Sequence, residues 1–531
     1  MIDKKIRIIF FIVIFMFFFS VGGDKEEAEK YYFSGLGKYT RGVKNSCEHD
    51  IRGAIKDFNI AIKLDPEYKD AYIWRGQAKI ELGDVKNEKE YYREAIKDYN
   101  KAIELGENDT SVYASRGNAK YFLKDYKGAI YDYSKSIELS SEKHPCPGCY
   151  YLRGNVKFNL GDLDGAEQDF SNAIKLDKNN KDKAITYRRR GEVRLLKHLQ
   201  TGWRHKTKEI RGAIEDFDKS IELDPINWLS YSLRAECRNA SFDYSGTIED
   251  CNKVIELYPQ GPRAYFLRGK NRQSLFGPIT DAVYKEILWD FNKAIELDPN
   301  YAKAYYERGR LKDLMGGLEA RGKVGGQLKS VVYDYYKGAI QDYTKAIELG
   351  LEDDDLYESR AGLKMILEDY VGAIPDFTKC IELKQIEFDE IMKKIKKQGH
   401  DDLDYEKLSK SLIGGIYTQR GSAKKEIGDY IGAIEDIKKA IKLKEEGGDN
   451  KYVDEEYFLK GYCKYRLSDY RGAILDFSKA IELSSDDSEF YYFRGLCKIL
   501  LRDKNGGCLD LSKAGELGYV KAYDSIKKLC Q

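Results

Sequence analysis

Two cysteines three residues apart carry the most chemistry in this sequence. Cys146–Pro147–Gly148–Cys149 has the spacing of a redox pair or of half a zinc site, and His144 stands two residues before it. A structural zinc ion takes four ligands, and no fourth is found for this group. A redox motif of this spacing ordinarily sits in a βαβ setting, which the flanking pattern lacks. The sequence therefore favours a local disulfide that staples a loop, with thiol exchange by Cys146 and Cys149 as the alternative. Gly317, Gly322 and Lys323 match the start of a phosphate-binding loop. Val324 occupies the position where Ser or Thr must meet magnesium, and no strand precedes it, so a nucleotide site is rejected. Five His without a cluster argue against a metalloenzyme. No Ser/His/Asp, Cys/His or paired-carboxylate set emerges. The expectation is no catalytic residue, no metal, no cofactor and no small-molecule substrate.

Two charged columns recur along the chain. A basic residue follows an opening Tyr by three positions in eleven of twelve copies, from Arg75 and Arg116 to Arg308, Arg360 and Arg494; Lys460 is the one lysine and Ser34 the one departure. Each copy also carries one Asp in its second half, among them Asp57, Asp98, Asp342, Asp476 and Asp510. Repeated Arg could bind nucleic acid. The matched Asp argues instead for pairing within each copy, because the planar guanidinium fits a carboxylate with two bonds. The expected pairs include Arg75 with Asp98, Arg308 with Asp342 and Arg494 with Asp510, at least partly buried. A second basic column four residues further on holds Lys79, Lys120, Arg194 and Lys464. Its stems are expected to cover apolar surface while the charges stay in water.

The elements that must position these columns are helices. In the stretch from Tyr457 to Ser488, Tyr457, Lys460, Gly461, Lys464 and Leu467 recur at three and four residues, and so do Ala473, Ile474, Phe477, Ala480 and Ile481. Each set marks one face of a helix, and neither helix can bury its stripe alone. Tyr31, Tyr72, Tyr113, Tyr150, Tyr187, Tyr231, Tyr265, Tyr305, Tyr357, Tyr417, Tyr457 and Tyr491 open twelve copies. Gly or Ala stands four residues on, as at Gly76, Gly117, Gly154 and Ala361, which suggests close helix–helix approach. The smallest spacing between copies is about 34 residues. With Tyr457, Gly461, Ala473, Phe477 and Ala480 in register, and a terminal Pro in some copies (Pro66, Pro225, Pro299), residues 28 to 517 resemble the tetratricopeptide repeat family, or TPR. The resemblance implies an all-α fold, a right-handed α-solenoid of about twelve helix-turn-helix units. It implies a concave surface that binds peptides or proteins, and no chemistry.

The resemblance also indicates which residues would line that surface. The face starts one residue after the opening Tyr and continues four and seven residues beyond. It includes Asn118 and Tyr121 in copy three, Tyr151, Asn155 and Phe158 in copy four, Phe266 and Lys270 in copy seven, and Tyr306 and Arg310 in copy eight. Asn amides can hold a peptide backbone whatever its side chains. The family's clamp for a terminal carboxylate needs basic residues where Ala114 and Tyr151 stand, so that specificity is not expected.

Composition and the termini add boundaries. The chain has 531 residues, net charge +1 and 34% charged residues with both signs interspersed, so no global field attracts nucleic acid or an anionic membrane. Lys4, Lys5 and Arg7 precede an apolar run from Ile8 to Phe19, and Ser20 to Gly23 are small or apolar. This describes a signal peptide over residues 1–23, with periplasmic or secreted localisation expected. An uncleaved membrane anchor over residues 6–19 is the alternative, since the run is short for a span. Copies one to nine occupy 24–383, a helical spacer 384–415, copies ten to twelve 416–517, and a capping helix 518–531. Insertions at 197–210, with Trp203, and at 315–335 interrupt copies five and eight. Phe388, Ile391, Met392 and Ile395 mark the spacer as an extra amphipathic helix where stacking could break. Export would permit disulfides. Cys508 and Cys530 are expected to tie the capping helix to the last copy. Cys251 and Cys380 stand in core columns and read as small hydrophobes. The leading reading is a non-enzymatic protein- or peptide-binding scaffold that is exported. The alternatives are an exported accessory chaperone or thiol-redox protein, and a membrane-anchored assembly factor. The partner's identity is not written in the sequence.

Overall fold

The computed structural model describes residues 24–141, 144–200, 208–275, 280–321, 330–397, 403–449 and 452–530. Residues 1–23, expected to be a signal peptide, Trp203, and Gly322 and Lys323 lie outside the described residues. The described residues are helical throughout, with no strand among them. Contacts divide the chain into two units, Met1–Pro259 and Gln260–Gln531.

The first unit holds six helical hairpins: α1 (24–44) with α2 (Glu48–Leu64), α3 (Lys69–Lys86) with α4 (Lys89–Glu104), α5 (Thr110–Phe122) with α6 (Tyr126–Leu139), α7 (Pro147–Asn159) with α8 (Leu163–Leu176), α9 (Asn180–Gln200) with α10 (Lys208–Leu223), and α11 (Trp228–Ala240) with α12 (Tyr244–Leu257). The second holds α13 (Pro262–Leu275) with α14 (Asp281–Leu297), α15 (Ala302–Arg321) with α16 (Ser330–Glu348), α17 (Asp354–Ile366) with α18 (Tyr370–Lys397), α19 (Leu403–Glu426) with α20 (Tyr430–Glu446), α21 (Asp454–Arg466) with α22 (Tyr470–Leu483), and α23 (Ser488–Leu500) with α24 (Lys504–Glu516). A last helix, α25 (Val520–Leu529), packs on α24. Within each unit successive helices from α2 onward pack on one another, the arrangement of an α-solenoid.

The hairpins are closed by local chemistry. A residue in left-handed conformation ends the first helix, as at Lys124 (φ +64°) and Ser468 (φ +63°). The next residue is an Asp whose carboxylate accepts the N–H of the Gly three positions on. Asp125 does so from Gly128 and Asp469 from Gly472, each at 3.0 Å. This N-cap satisfies one of the free amides that begin every helix. The carboxylate lies so close that a Cβ on Gly472 would sit 2.1 Å from Asp469 Oδ2.

The core lies between the two helices of each hairpin. Tyr99, Tyr133, Phe170, Phe217, Phe291, Tyr343, Phe377 and Phe477 are fully buried on the second helices. Their rings lie against the small residue of the first helix: a Cβ on Gly117 would meet Tyr133 Cε1 at 2.8 Å, and one on Gly461 would meet Phe477 Cε1 at 2.8 Å. Tyr133 is also held by its hydroxyl, which donates to Asn118 Oδ1 at 2.7 Å, so the ring has nowhere to move. Gly117→Ala is therefore expected to destabilise by about 1–3 kcal/mol, although Ala favours the helix backbone. Gly362, mid-helix in α17, has nothing within 4 Å of an added Cβ. Gly362→Ala is expected to stabilise by about 0.5–1 kcal/mol. Urea midpoints of the two variants should move in opposite directions; a shift of the same sign would show that the Tyr133 ring gives way.

The spacer at 384–415 is not a separate element. α18 runs unbroken from the second helix of copy nine to Lys397, and α19 begins at Leu403 and continues into the first helix of copy ten. The two extensions pack together, with Phe388 and Tyr405 stacked at 6.4 Å. No Pro or Gly separates Cys380 from Lys397, so helix propagation continues. The insertion at 315–335 likewise lengthens α15 to Arg321 and begins α16 at Ser330. Among the described residues no helix is long and apolar enough to cross a membrane.

Candidate functional site

The charged columns form a repeated clamp. In copy three, Arg116 donates from Nε to Asp132 Oδ2 at 2.9 Å and from Nη2 to Asp132 Oδ1 at 2.6 Å. Its guanidinium carbon stands 5.3 Å from the centre of the Tyr113 ring. Asp132 itself has no exposed surface. The same fork joins Arg75 to Asp98, Arg308 to Asp342 and Arg494 to Asp510. In copy one, Ser34 donates to Asp57 at 2.6 Å instead.

The second basic column corrects its expected role. Its charges do not stay in water but reach the same Asp: Lys79 to Asp98 at 2.9 Å, Lys120 to Asp132 at 2.8 Å, Arg194 to Asp216 at 3.0 Å and Lys464 to Asp476 at 2.8 Å. Four residues along a helix is one turn, which stacks the two cations above one carboxylate. Burial comes first in setting these carboxyls and pushes Asp216, Asp250 and Asp290 above the usual carboxylate range despite their Arg partners. At Asp436 burial acts the same way, but bonds from Arg420 and Lys424 outweigh it and the carboxyl is lowered.

A third arm of the clamp was missed in the sequence. Arg116 Nη1 donates to Asn100 of the preceding copy at 2.7 Å. Arg75 reaches Asn59 in this way, Arg153 reaches Ser134, Arg308 reaches Asn292, Arg360 reaches Thr344 and Arg494 reaches Ser478. Each acceptor lies two residues after the preceding copy's Asp. In copy ten that position is Lys438, and the next copy carries Lys460 where the other ten have Arg. A guanidinium there would face a cation; the single ammonium of Lys460 needs only Asp476, at 3.0 Å. That co-variation is the signal by which the arm could have been found. With three protein partners each, these Arg side chains are structural.

The residues expected on the inner face of the first helices are brought together by neighbouring copies. Asn155 Oδ1 accepts from Arg189 Nε at 2.9 Å, and the Arg189 guanidinium lies 4.7 Å over the Phe158 ring. Asn159 donates to the Tyr121 hydroxyl at 3.0 Å. Thus α5, α7 and α9 share one face. Tyr151 on the same face tilts against Phe170. Asn118 and Asn155 each have their side-chain oxygen taken by a donor of the chain itself. In the second unit Lys270 and Arg310 both approach Glu307, at 3.4 and 3.2 Å, and Arg310 stands over Tyr306. Phe266 is corrected: it is 7% exposed, packed on Phe291 and Tyr301, and presents no free ring. Arg188 and Glu192 occupy the same register in copy five and are ion-paired, as are Arg189 and Glu192. Extending the register by one copy would have found them.

The cysteines fall into two classes. Cys237, Cys251, Cys380, Cys463 and Cys497, all buried, and the half-buried Cys47 form no disulfide. Burial pushes Cys380 and Cys497 up to about 12 and Cys463 up to about 11, which keeps them protonated and unreactive. Cys146 is disulfide-bonded to Cys149, and Cys508 to Cys530 with Cα atoms 5.8 Å apart. Among the described residues no group of His, Cys, Asp and Glu could hold a metal ion.

Family models described as tetratricopeptide repeat match residues 48–103, 147–180 and 414–446, which are α2 to α4, α7 with α8, and the end of α19 with α20. No curated protein matches the sequence. Solved structures similar to the chain include MamA, 21% identical over 39% of this chain and 96% of its own, with a TM-score of 0.29. YrrB, a TPR protein with an unusual peptide-binding site, is 20% identical over 39% of this chain and 95% of its own, at 0.31. The C-terminal part of a TPR repeat-containing protein from Cytophaga hutchinsonii is 17% identical over 54% of this chain and 98% of its own, at 0.39. With those family matches falling on hairpins that share one register of Tyr, Gly, Ala and buried aromatic residues, the chain carries tetratricopeptide repeats.

Proposed function

We propose that this chain is an exported, non-enzymatic scaffold that holds an extended peptide or protein segment along the inner face of its first helices. The observation that carries the reading is the row Asn118, Tyr121, Tyr151, Asn155, Phe158 and Arg189, which spans three copies and is locked by bonds between them. A preformed row costs little further ordering when a ligand arrives. Its amide donors suit a peptide backbone, its rings suit apolar side chains, and Arg188 with Arg189 outnumber Glu192, which favours an acidic residue on the ligand. The Arg of the repeated column are consumed by Asp, which removes the basis for nucleic-acid binding.

A peptide library displayed on phage and panned against the full chain tests the site. Selected peptides are expected to carry an acidic residue beside apolar ones. Phe158→Ala and Arg189→Ala should each weaken them roughly tenfold, about 1.4 kcal/mol, with helix content unchanged. Peptides that bind both variants as tightly as the parent would move the site off this face. Export rests on Lys4, Lys5, Arg7 and the apolar run behind them. Mass spectrometry of the mature N-terminus is expected to find cleavage near Gly23; retention of residues 6–19 would favour the anchored reading.

A further inference from the structure

The Cys146–Cys149 pair has a setting that a loop staple does not need. Cys146 is the N-cap of α7, and its Sγ accepts the backbone N–H of Cys149 at 3.3 Å. Pro147 takes the first helical position, where its missing N–H costs nothing. The two sulfurs are unequal. Cys146 is half-buried, whereas Cys149 is 1% exposed. Cys149 Sγ lies 3.0 Å from the buried Ser136 Oγ. Ser136 gives its own proton to the Thr110 carbonyl at 2.7 Å, so toward Cys149 it presents a lone pair. A reduced Cys149 can therefore donate its S–H to Ser136 and stay a thiol. A reduced Cys146 has the opposite surroundings: the N-terminus of a thirteen-residue helix and an N–H aimed at its sulfur, both of which favour the thiolate.

A cleft of about 360 Å³ opens directly beside the pair. Pro147 and Gly148 line it together with the apolar side chains of Tyr151, Leu152 and Ile185 and with Asp177, Asp182 and Thr186.

We propose that the Cys146–Cys149 disulfide is an exchange centre that oxidises a pair of thiols in an extended segment of a partner protein, with that segment seated in the adjoining cleft. This activity goes beyond peptide holding and shares only Tyr151 with the inner-face row. A partner thiolate attacks Cys146 Sγ, the accessible sulfur. The Cys146–Cys149 bond breaks, and Cys149 leaves with the electron pair, takes a proton and donates it in a hydrogen bond to Ser136. The second partner thiolate then attacks the partner sulfur of the mixed disulfide, and Cys146 departs. Two electrons pass from the partner to this chain. The partner gains one disulfide, and its two thiol protons end on Cys146 and Cys149 or in water. The apolar and acidic side chains of the lining select a segment with an apolar residue and Lys or Arg beside its cysteines.

The test uses the oxidised full-length chain and a synthetic reduced peptide with two Cys, a Leu and flanking Lys. One equivalent of peptide disulfide is expected per chain, and iodoacetamide added after denaturation should label Cys146 and Cys149 in addition to the six cysteines that carry no disulfide at the outset, Cys47 among them. A peptide with Glu in place of Lys should react about tenfold more slowly at low salt. With the peptide supplied instead as its own disulfide, the Cys146 thiolate of Cys149→Ser should attack it and hold it as a mixed disulfide, and Cys146→Ser should trap nothing; with reduced peptide the Cys508→Ser/Cys530→Ser variant should behave as the parent. Exchange no faster than with a free oxidised Cys-Pro-Gly-Cys peptide, or alkylation appearing at Cys508 and Cys530 instead, would overturn the proposal. Because Cys149 is buried and its variant could misfold, the alkylation map of the unmodified chain decides on its own.

Discussion

Asp132→Ala is expected to cost about 3–5 kcal/mol, the largest effect of any single substitution considered for this protein. Asp132 is fully buried and receives two bonds from Arg116 and one contact from Lys120 at 2.8 Å. Removing the carboxylate strands a guanidinium whose remaining protein acceptor is Asn100. The cation then keeps its desolvation without its counter-charge, and that penalty exceeds anything lost in packing. The net worth of the intact cluster is much smaller, since burial opposes the charged forms it pairs. Replacing the whole cluster, as Arg116→Met/Lys120→Met/Asp132→Leu, should therefore recover most of the loss. In a solenoid each copy contacts mainly its neighbours, so the damage should be local. Hydrogen exchange is expected to accelerate in α4 to α7 and to change far less in α20 to α24. A cost below about 1 kcal/mol would show that water reaches the stranded Arg116 as it would at a surface.

The second large effect concerns the end of the chain. α25 is held by Ala522, which is fully buried, by Tyr523, whose hydroxyl donates to the Gly515 carbonyl at 3.0 Å, and by Tyr519 against Tyr492 at 4.6 Å. The Ser525 and Tyr492 hydroxyls also meet at 3.2 Å, but ten residues make a marginal helix. The Cys508–Cys530 bond closes a loop of sequence separation 22 and ties α25 to α24. In the chain-entropy model such a closure is worth about 3 kcal/mol. Cys508→Ser/Cys530→Ser is thus expected to raise hydrogen exchange across α25 on the order of a hundredfold, with α17 to α22 unaffected. Unchanged exchange would mean that Ala522, Tyr519 and Tyr523 suffice. The paired variant is the correct comparison, because a reductant would also open Cys146–Cys149.

What the sequence determined by itself is what repeats within a few turns of helix. Apolar spacing placed the hairpins, and the Tyr and Asp columns, with Arg in ten of the twelve copies, were legible because one register places them on the same faces copy after copy. The hairpin Gly was legible as a close approach for the same reason. The tertiary structure decided what depends on a neighbouring copy. Phe266 and Tyr306 share one register position, yet Tyr301 from the next copy covers Phe266 while Tyr306 stays half-buried. Lys79 and Lys120 looked like wet surface stems until the fold set a buried carboxylate within reach of each. The Arg arm to Asn100 joins two copies, so no spacing within one copy reveals it. The spacer was read as its own helix because it lies between two copies, whereas helix propagation respects only local stop signals and ran through it from both sides. The surroundings of Cys146 and Cys149 were decided the same way: the four-residue motif states the spacing, but Ser136 on α6 and the cleft walls from α9 arrive only through packing, and it is packing that makes the two sulfurs unequal.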